Sequence, residues 1–153
     1  MTKSERKVLC GTLLFSLIGI SPLWASETVT FHSGDRVLHG VVYKPEGPGP
    51  FPAVLYNHGS APGMLNSTAF ELLGPMFVAH GWAFFAPYRR GQGLSAEAGP
   101  YIGDEIEAAR ARGGQAAAAE TMIRLLSTEH LQDQLAALAW IKTHPLCEQI
   151  EWL

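Results

Sequence analysis

Two apolar runs fix most of what this chain can fold into. AVLYN, Ala53 to Asn57, and WAFFAPY, Trp82 to Tyr88, are continuously apolar rather than alternating, as strands covered on both faces by helices are. Between them STAFELLGPMFVAHG carries Phe70, Leu73, Phe77 and Val78 at roughly helical spacing, with Gly74-Pro75 placed to kink the helix and Gly81 to end it. Strand, helix, strand in that order is a parallel crossover unit and predicts an α/β architecture.

The flanking segments extend this frame. ETVTFHS and RVLHGVVYK are β-rich runs around Ser33-Gly34-Asp35 and predict an antiparallel hairpin. PEGPGPFP, Pro45 to Pro52, is a surface connection, because its prolines and glycines suit neither helix nor central strand. After the second apolar run come RRGQGLS and a polar, Gly-containing excursion from Ala96 to Gly114. Gln115 to His144 is then strongly helical by propensity, with a break expected near Ser127-Thr128. Leu131, Leu135, Leu138 and Ile141 mark its apolar face, and Pro145 stops it. A third crossover strand is due next, yet the remaining LCEQIEWL is short, so the sheet is expected to be unfinished.

The first residues are of another kind. Lys3, Arg6 and Lys7 precede an apolar run from Val8 to Ile20 and then SPLWAS, the charged, apolar, small-residue order of a secretory signal peptide. Residues 1–25 are therefore expected to direct export, periplasmic or secreted, with cleavage after Ala25 and one domain over 26–153. An uncleaved membrane anchor is the competing reading, against which the apolar core falls short of the ~20 residues a spanning helix needs; after cleavage no stable membrane span is expected. Cys10 would leave with the leader, and Cys147 would remain as a lone thiol, best read as a buried cysteine.

Charge excludes other classes. The 153 residues carry a net charge of -3 with no acidic or basic block, which argues against nucleic acid as a partner. The six histidines are scattered without the spacing of a metal site, so no metal and no cofactor are expected. Gly91 to Ala96 matches G-x-G-x-x-A after a strand, but a dinucleotide site needs a helix opening at the motif and an acidic residue ~20 positions on. Gly99-Pro100 interrupt any helix at once, and the later region is alanine-rich.

His58 has three possible roles: a general base, a core histidine with one backbone partner, or a shaper of the turn that aims the Ser60 amide into a site. Ser60 stands in H-G-S-A-P-G rather than G-x-S-x-G, which argues against it as a nucleophile.

Taken together, VLYNHGS, GWAFFAPYRRGQGLS and the helix ending LAALAWIKTHP resemble an α/β-hydrolase of the dienelactone hydrolase-like group, which is also similar to the catalytic domains of prolyl-oligopeptidase-type peptidases. The likeness runs from about Thr28 to Pro145. It implies an α/β-hydrolase-type, mostly parallel sheet with an N-terminal antiparallel hairpin. It also implies a Ser-His-Asp triad whose serine, on a G-x-S-x-G elbow, comes first in the chain. By the same resemblance the Ser60 amide matches an oxyanion donor beside Gly59, His58 shapes that turn, and Arg90, Gly91, Gly93 and Ser95 match a loop bracing the site wall.

No G-x-S-x-G occurs in the sequence. The expectation is therefore a serine hydrolase of ester, lactone or peptide-like bonds cut before its nucleophile elbow, with the catalytic Ser, Asp and His beyond Leu153 and no catalytic residue within this chain. Completed, it would take a small-molecule ester or peptide-like substrate; alone it would be inactive. The alternative is an exported, noncatalytic fragment or binding module that self-associates or pairs through its open sheet edge.

Overall fold

The computed structural model describes residues 24–59 and 68–147. The leader assigned to residues 1–25 lies almost wholly outside the described residues, as do Ser60 and the chain after Cys147. The architecture is mixed α/β: one open four-stranded sheet of order β1-β2-β4-β3, with helices on both faces.

The hairpin forms where its residues place it. β1 (Trp24–Ser33) and β2 (Arg36–Pro45) pair antiparallel from Trp24 opposite Pro45 to Ser33 opposite Arg36. Gly34 turns at φ 63 while Asp35 keeps a negative φ, the combination a II′ hairpin turn requires. β3 (Ala53–Leu55), α1 (Thr68–Ala79) and β4 (Ala83–Pro87) form the crossover unit, with β3 and β4 parallel. β4 also pairs antiparallel with β2, so one of the three strand pairings among the described residues is parallel.

β4 is apolar throughout because both its faces are covered. Ala83 and Phe85 pack with Phe31, Leu38, Val42, Ala137 and Ile141, whereas Phe84 and Ala86 pack with Tyr43, Phe70 and Val78. β3 departs from the expectation drawn from its equally apolar sequence. Among the described residues it lies at the sheet edge, and all three of its residues are only half-buried.

α1 runs through Gly74-Pro75 without a break, and Gly74 lets the helix approach the Tyr43 ring, where a Cβ would stand 2.5 Å from it. The helix ends as its sequence requires: the Trp82 amide donates to the Phe77 carbonyl and the Gly81 amide to that of Val78, with Gly81 at φ 81.

Beyond β4, a short 3₁₀ helix (Gly93–Ala98) leads to α2 (Ile102–Ser127) and α3 (Glu129–Thr143). The break at Thr128 falls where the sequence puts it, but two expectations are corrected. Ile102 to Arg112 is helical rather than part of a polar excursion, and the glycine pair interrupts α2 instead of preceding it, with Gly113 at φ -141 and Gly114 at φ 70.

The apolar stripe expected on α3 holds at Ile141 and fails at its three leucines. Its buried face is His130, Asp133, Ala137 and Ile141, while Leu131, Leu135 and Leu138 are exposed. After α3 the chain returns to the sheet, where Cys147 forms a parallel bridge with Phe51 beside the start of β3. Cys147 is free and buried in the core, and burial pushes its thiol up.

Candidate functional site

β3 and β4 are parallel, so the segments leaving them emerge at the same end of the sheet. In open α/β sheets that carboxyl end is where ligands bind. From β3 come Tyr56, Asn57, His58 and Gly59; from β4 come Tyr88 and the Arg89–Ser95 loop. The two meet through Arg89, whose guanidinium donates 3.1 Å to the His58 carbonyl and also reaches the Gln92 side chain.

His58 is buried between the Phe70 and Tyr88 rings. Its Nδ1 lies 2.7 Å from the Gly59 carbonyl, which can only accept, so Nδ1 carries the proton and Nε2 the lone pair. Burial is the main influence lowering its pKa, and the nearby Arg89 charge acts the same way against the Gly59 hydrogen bond. A neutral imidazole bonded to the next carbonyl holds the backbone at Gly59. Gly59 is exposed at that point, and Ser60 lies outside the described residues.

The bracing loop is built from interlocking parts. Ser95, buried, donates its hydroxyl to the Tyr88 carbonyl at 3.0 Å and accepts the His39 amide at 2.9 Å, tying the loop to β2 and β4. With both roles of the hydroxyl occupied, Ser95 is a staple. Gly91 has φ 71, and a Cβ there would stand 2.1 Å from the Pro100 carbonyl oxygen; a Cβ on Gly93, at φ 46, would stand 2.2 Å from the Tyr88 ring. Both positions admit only glycine without rearrangement.

Arg90 is anchored by a residue the sequence reading overlooked. Asp133, on α3 and 1% exposed, accepts a forked pair from Arg90, Nε at 2.9 Å and a terminal nitrogen at 2.7 Å. It also accepts the Arg90 amide at 3.0 Å and the Ser33 hydroxyl at 2.7 Å. Burial alone would raise the Asp133 carboxyl, but these hydrogen bonds outweigh it and hold it below its ordinary range. The same pairing raises Arg90. One carboxylate thus joins the end of β1, the loop after β4 and the start of α3. The signal available in the sequence was the i, i+4, i+8 spacing of Asp133, Ala137 and Ile141, an acid on the face that proves to be buried.

Two hollows flank this loop. One of about 350 Å³ is open and lined by Asp35, Arg36, Val37, His39, Leu94 and Glu97. The other, about 180 Å³, lies between Arg36, Arg90, Pro100, Glu105, Leu125 and the buried His130. Burial pushes His130 down to about 4, helped by the Arg89 charge and opposed by Asp133, and its Nδ1 has no hydrogen-bond partner among the described residues.

No group of His, Cys, Asp and Glu with metal-binding geometry occurs among the described residues, and no helix among them is long and apolar enough to cross a membrane. The glycine motif leads into a six-residue 3₁₀ helix that begins at Gly93, rather than a long α-helix, which gives a dinucleotide pyrophosphate no helix terminus to sit on. No protein-family model matches the chain, and no curated protein matches it.

Proposed function

We propose that this chain is the front part of an exported serine hydrolase of the α/β-hydrolase, dienelactone hydrolase-like type, acting on ester, lactone or peptide-like bonds. The observation that carries this reading is the meeting of two sequence-distant motifs at one end of the sheet. The His58-Gly59 turn leaving β3 is held by Arg89 against the Arg90–Ser95 loop leaving β4. A hairpin followed by a parallel crossover, with a further parallel bridge at Cys147, is compatible with a larger and mostly parallel sheet.

In this reading the backbone beyond Gly59 serves a transition state. A serine oxygen, supplied outside these residues, attacks the substrate carbonyl carbon; the carbonyl oxygen takes up the charge, and the Ser60 amide donates to it. Such a donor contributes ~2.7 to 4 kcal/mol where the charge develops in a preorganised site. The alcohol or amine then leaves, and water releases the acyl group from the serine. Arg90, Gly91, Gly93 and Ser95 keep the wall beside the amide from moving. No cofactor and no metal enters this chemistry.

The test reads the coding sequence beyond Leu153 and assays both lengths. A G-x-S-x-G followed by Asp and His, and an extended protein that hydrolyses p-nitrophenyl esters and is labelled by a fluorophosphonate, is the expected result. The 153-residue chain alone should do neither. Serine-dependent turnover by the short chain would place a nucleophile within it and overturn the proposal, as would an extended protein without the elbow.

A second reading is favoured by the edge. β3 is short, half-buried and unpaired on one side among the described residues, so a noncatalytic module that pairs through this strand is the alternative. Pairing with a partner strand that persists in the absence of any hydrolase activity in the extended protein would select it.

A further inference from the structure

The smaller hollow contains groups that the fold itself leaves unanswered. His130 is 1% exposed, lines this hollow, and has no partner for Nδ1 among the described residues. A buried polar atom without a hydrogen bond is unusual in a folded protein and calls for an occupant.

The charges around it divide into satisfied and unsatisfied ones. Arg90 is neutralised by its fork to Asp133, and the Glu129 carboxylate accepts from the Thr128 hydroxyl and the Arg124 guanidinium. Arg36 and Glu105 differ: they line the same space, no ion pair joins them, and neither pairs with any other charge among the described residues. Arg36 is nonetheless held in place, because it donates to the Ala98 carbonyl. The first turn of α3, which also lines the hollow, already holds its negative group, because the Glu129 carboxylate accepts from its own backbone amide.

We propose that this hollow binds a small zwitterion, a free α-amino acid of about alanine size. Its carboxylate lies on Arg36 and its ammonium on Glu105, with the His130 Nδ1 supplying a further hydrogen bond. A simple acid would leave Glu105 without a partner, and a simple amine would leave Arg36 without one; only a ligand carrying both charges answers the whole lining. Pro100 and Leu125 provide an apolar wall for a short side chain. Occupancy would tie the β2 turn, the loop after β4 and both long helices to one ligand. The inference does not rest on the hydrolase reading, since none of these residues handles the scissile bond.

The full 153-residue chain would be titrated separately with L-alanine, acetate and methylammonium, following the His130 ring resonances by NMR. L-alanine should bind about tenfold or more tightly than either single-charge probe, the difference expected when a second charge-assisted hydrogen bond is added. Glu105→Gln should weaken L-alanine about tenfold and leave acetate unchanged. Arg36→Gln should weaken both. The dispersion of the ligand-free spectrum of each variant separates lost binding from lost fold. Acetate or methylammonium binding as tightly as L-alanine would overturn the zwitterion assignment. Absence of any His130 shift with L-alanine would overturn the site itself.

Discussion

Asp133 shows what one buried charge does for the region around the candidate site. It and the Arg90 side chain are 1% and 10% exposed, so each depends on the other for the solvation that water no longer gives. Asp133→Ala leaves the guanidinium buried without its counterion and should cost about 3–5 kcal/mol in urea unfolding. Replacing both partners with apolar residues of similar volume should recover most of that loss. If the double variant is as unstable as the single one, the pair contributes more than mutual neutralisation.

His130 adds a pH dependence on the same face. Its folded pKa is about 4 against an ordinary 6.5, so the unfolded chain takes up a proton that the folded one refuses. Stability should therefore fall as pH drops from about 6.5 towards 4, by on the order of 3 kcal/mol in all. Asp133, held below its ordinary range, has its contribution in place above the unfolded carboxyl pKa and loses it as pH falls further, through its folded pKa. Urea midpoints measured from neutral to acid pH should decline through the histidine range, and His130→Gln should reduce that decline, leaving the share of His58, whose pKa is also lowered by burial. A flat wild-type profile there would contradict the buried, neutral assignment.

Neither residue was legible in the sequence as part of a site. An aspartate on a helix and a histidine beside it look like solvated positions until their face is known, and the more hydrophobic leucines of α3 pointed to the wrong face. His58 and the glycines of the loop were legible because turn chemistry is local. The counterion that anchors the loop comes from a distant helix and left only a spacing as its trace.

Among the elements, those set by local pattern formed where their residues put them. The hairpin, the strand-helix-strand unit and the stop of α3 before Pro145 depend on turn residues and on continuous apolar runs. The start of α2 did not, because Gly103, Gly113 and Gly114 lower its helical signal although Asp104 and Glu105 suit a first turn.

The glycines of the site loop and of the α1 terminus separate backbone preference from crowding. Gly81 and Gly91 have similar positive φ, but a Cβ on Gly81 meets nothing within 4 Å, whereas one on Gly91 meets the backbone of Pro100. Gly81→Ala should cost only the left-handed conformation, roughly 1–2 kcal/mol. Gly91→Ala should cost more than that and should loosen the Ser95 staple, seen as faster hydrogen exchange at the His39 amide. Equal destabilisation of the two variants, with His39 still protected, would show that the loop yields without cost.

On the scale of the whole molecule, the decisive feature is what the fold leaves uncovered. Leu131, Leu135 and Leu138 of α3 are 46%, 55% and 37% exposed, and Met122, Ile123 and Leu126 of α2 are also exposed. An apolar surface of this kind, beside a sheet edge that no described residue pairs along β3, is what drives association in water. Hydropathy marked Leu131, Leu135 and Leu138 as core, and the structure overturns that: they are exposed, and no described element covers them. The chain should therefore associate as its concentration rises, in sedimentation velocity and size-exclusion experiments alike. Leu135→Glu with Leu138→Lys should shift it towards monomer without lowering its melting temperature, because neither side chain belongs to the packed core. If association persists unchanged in that variant, the contact lies elsewhere, and the edge of β3 becomes the surface to block. A wild-type chain that stays monomeric at every concentration would mean that the exposed leucines are tolerated in water and that neither surface requires a partner.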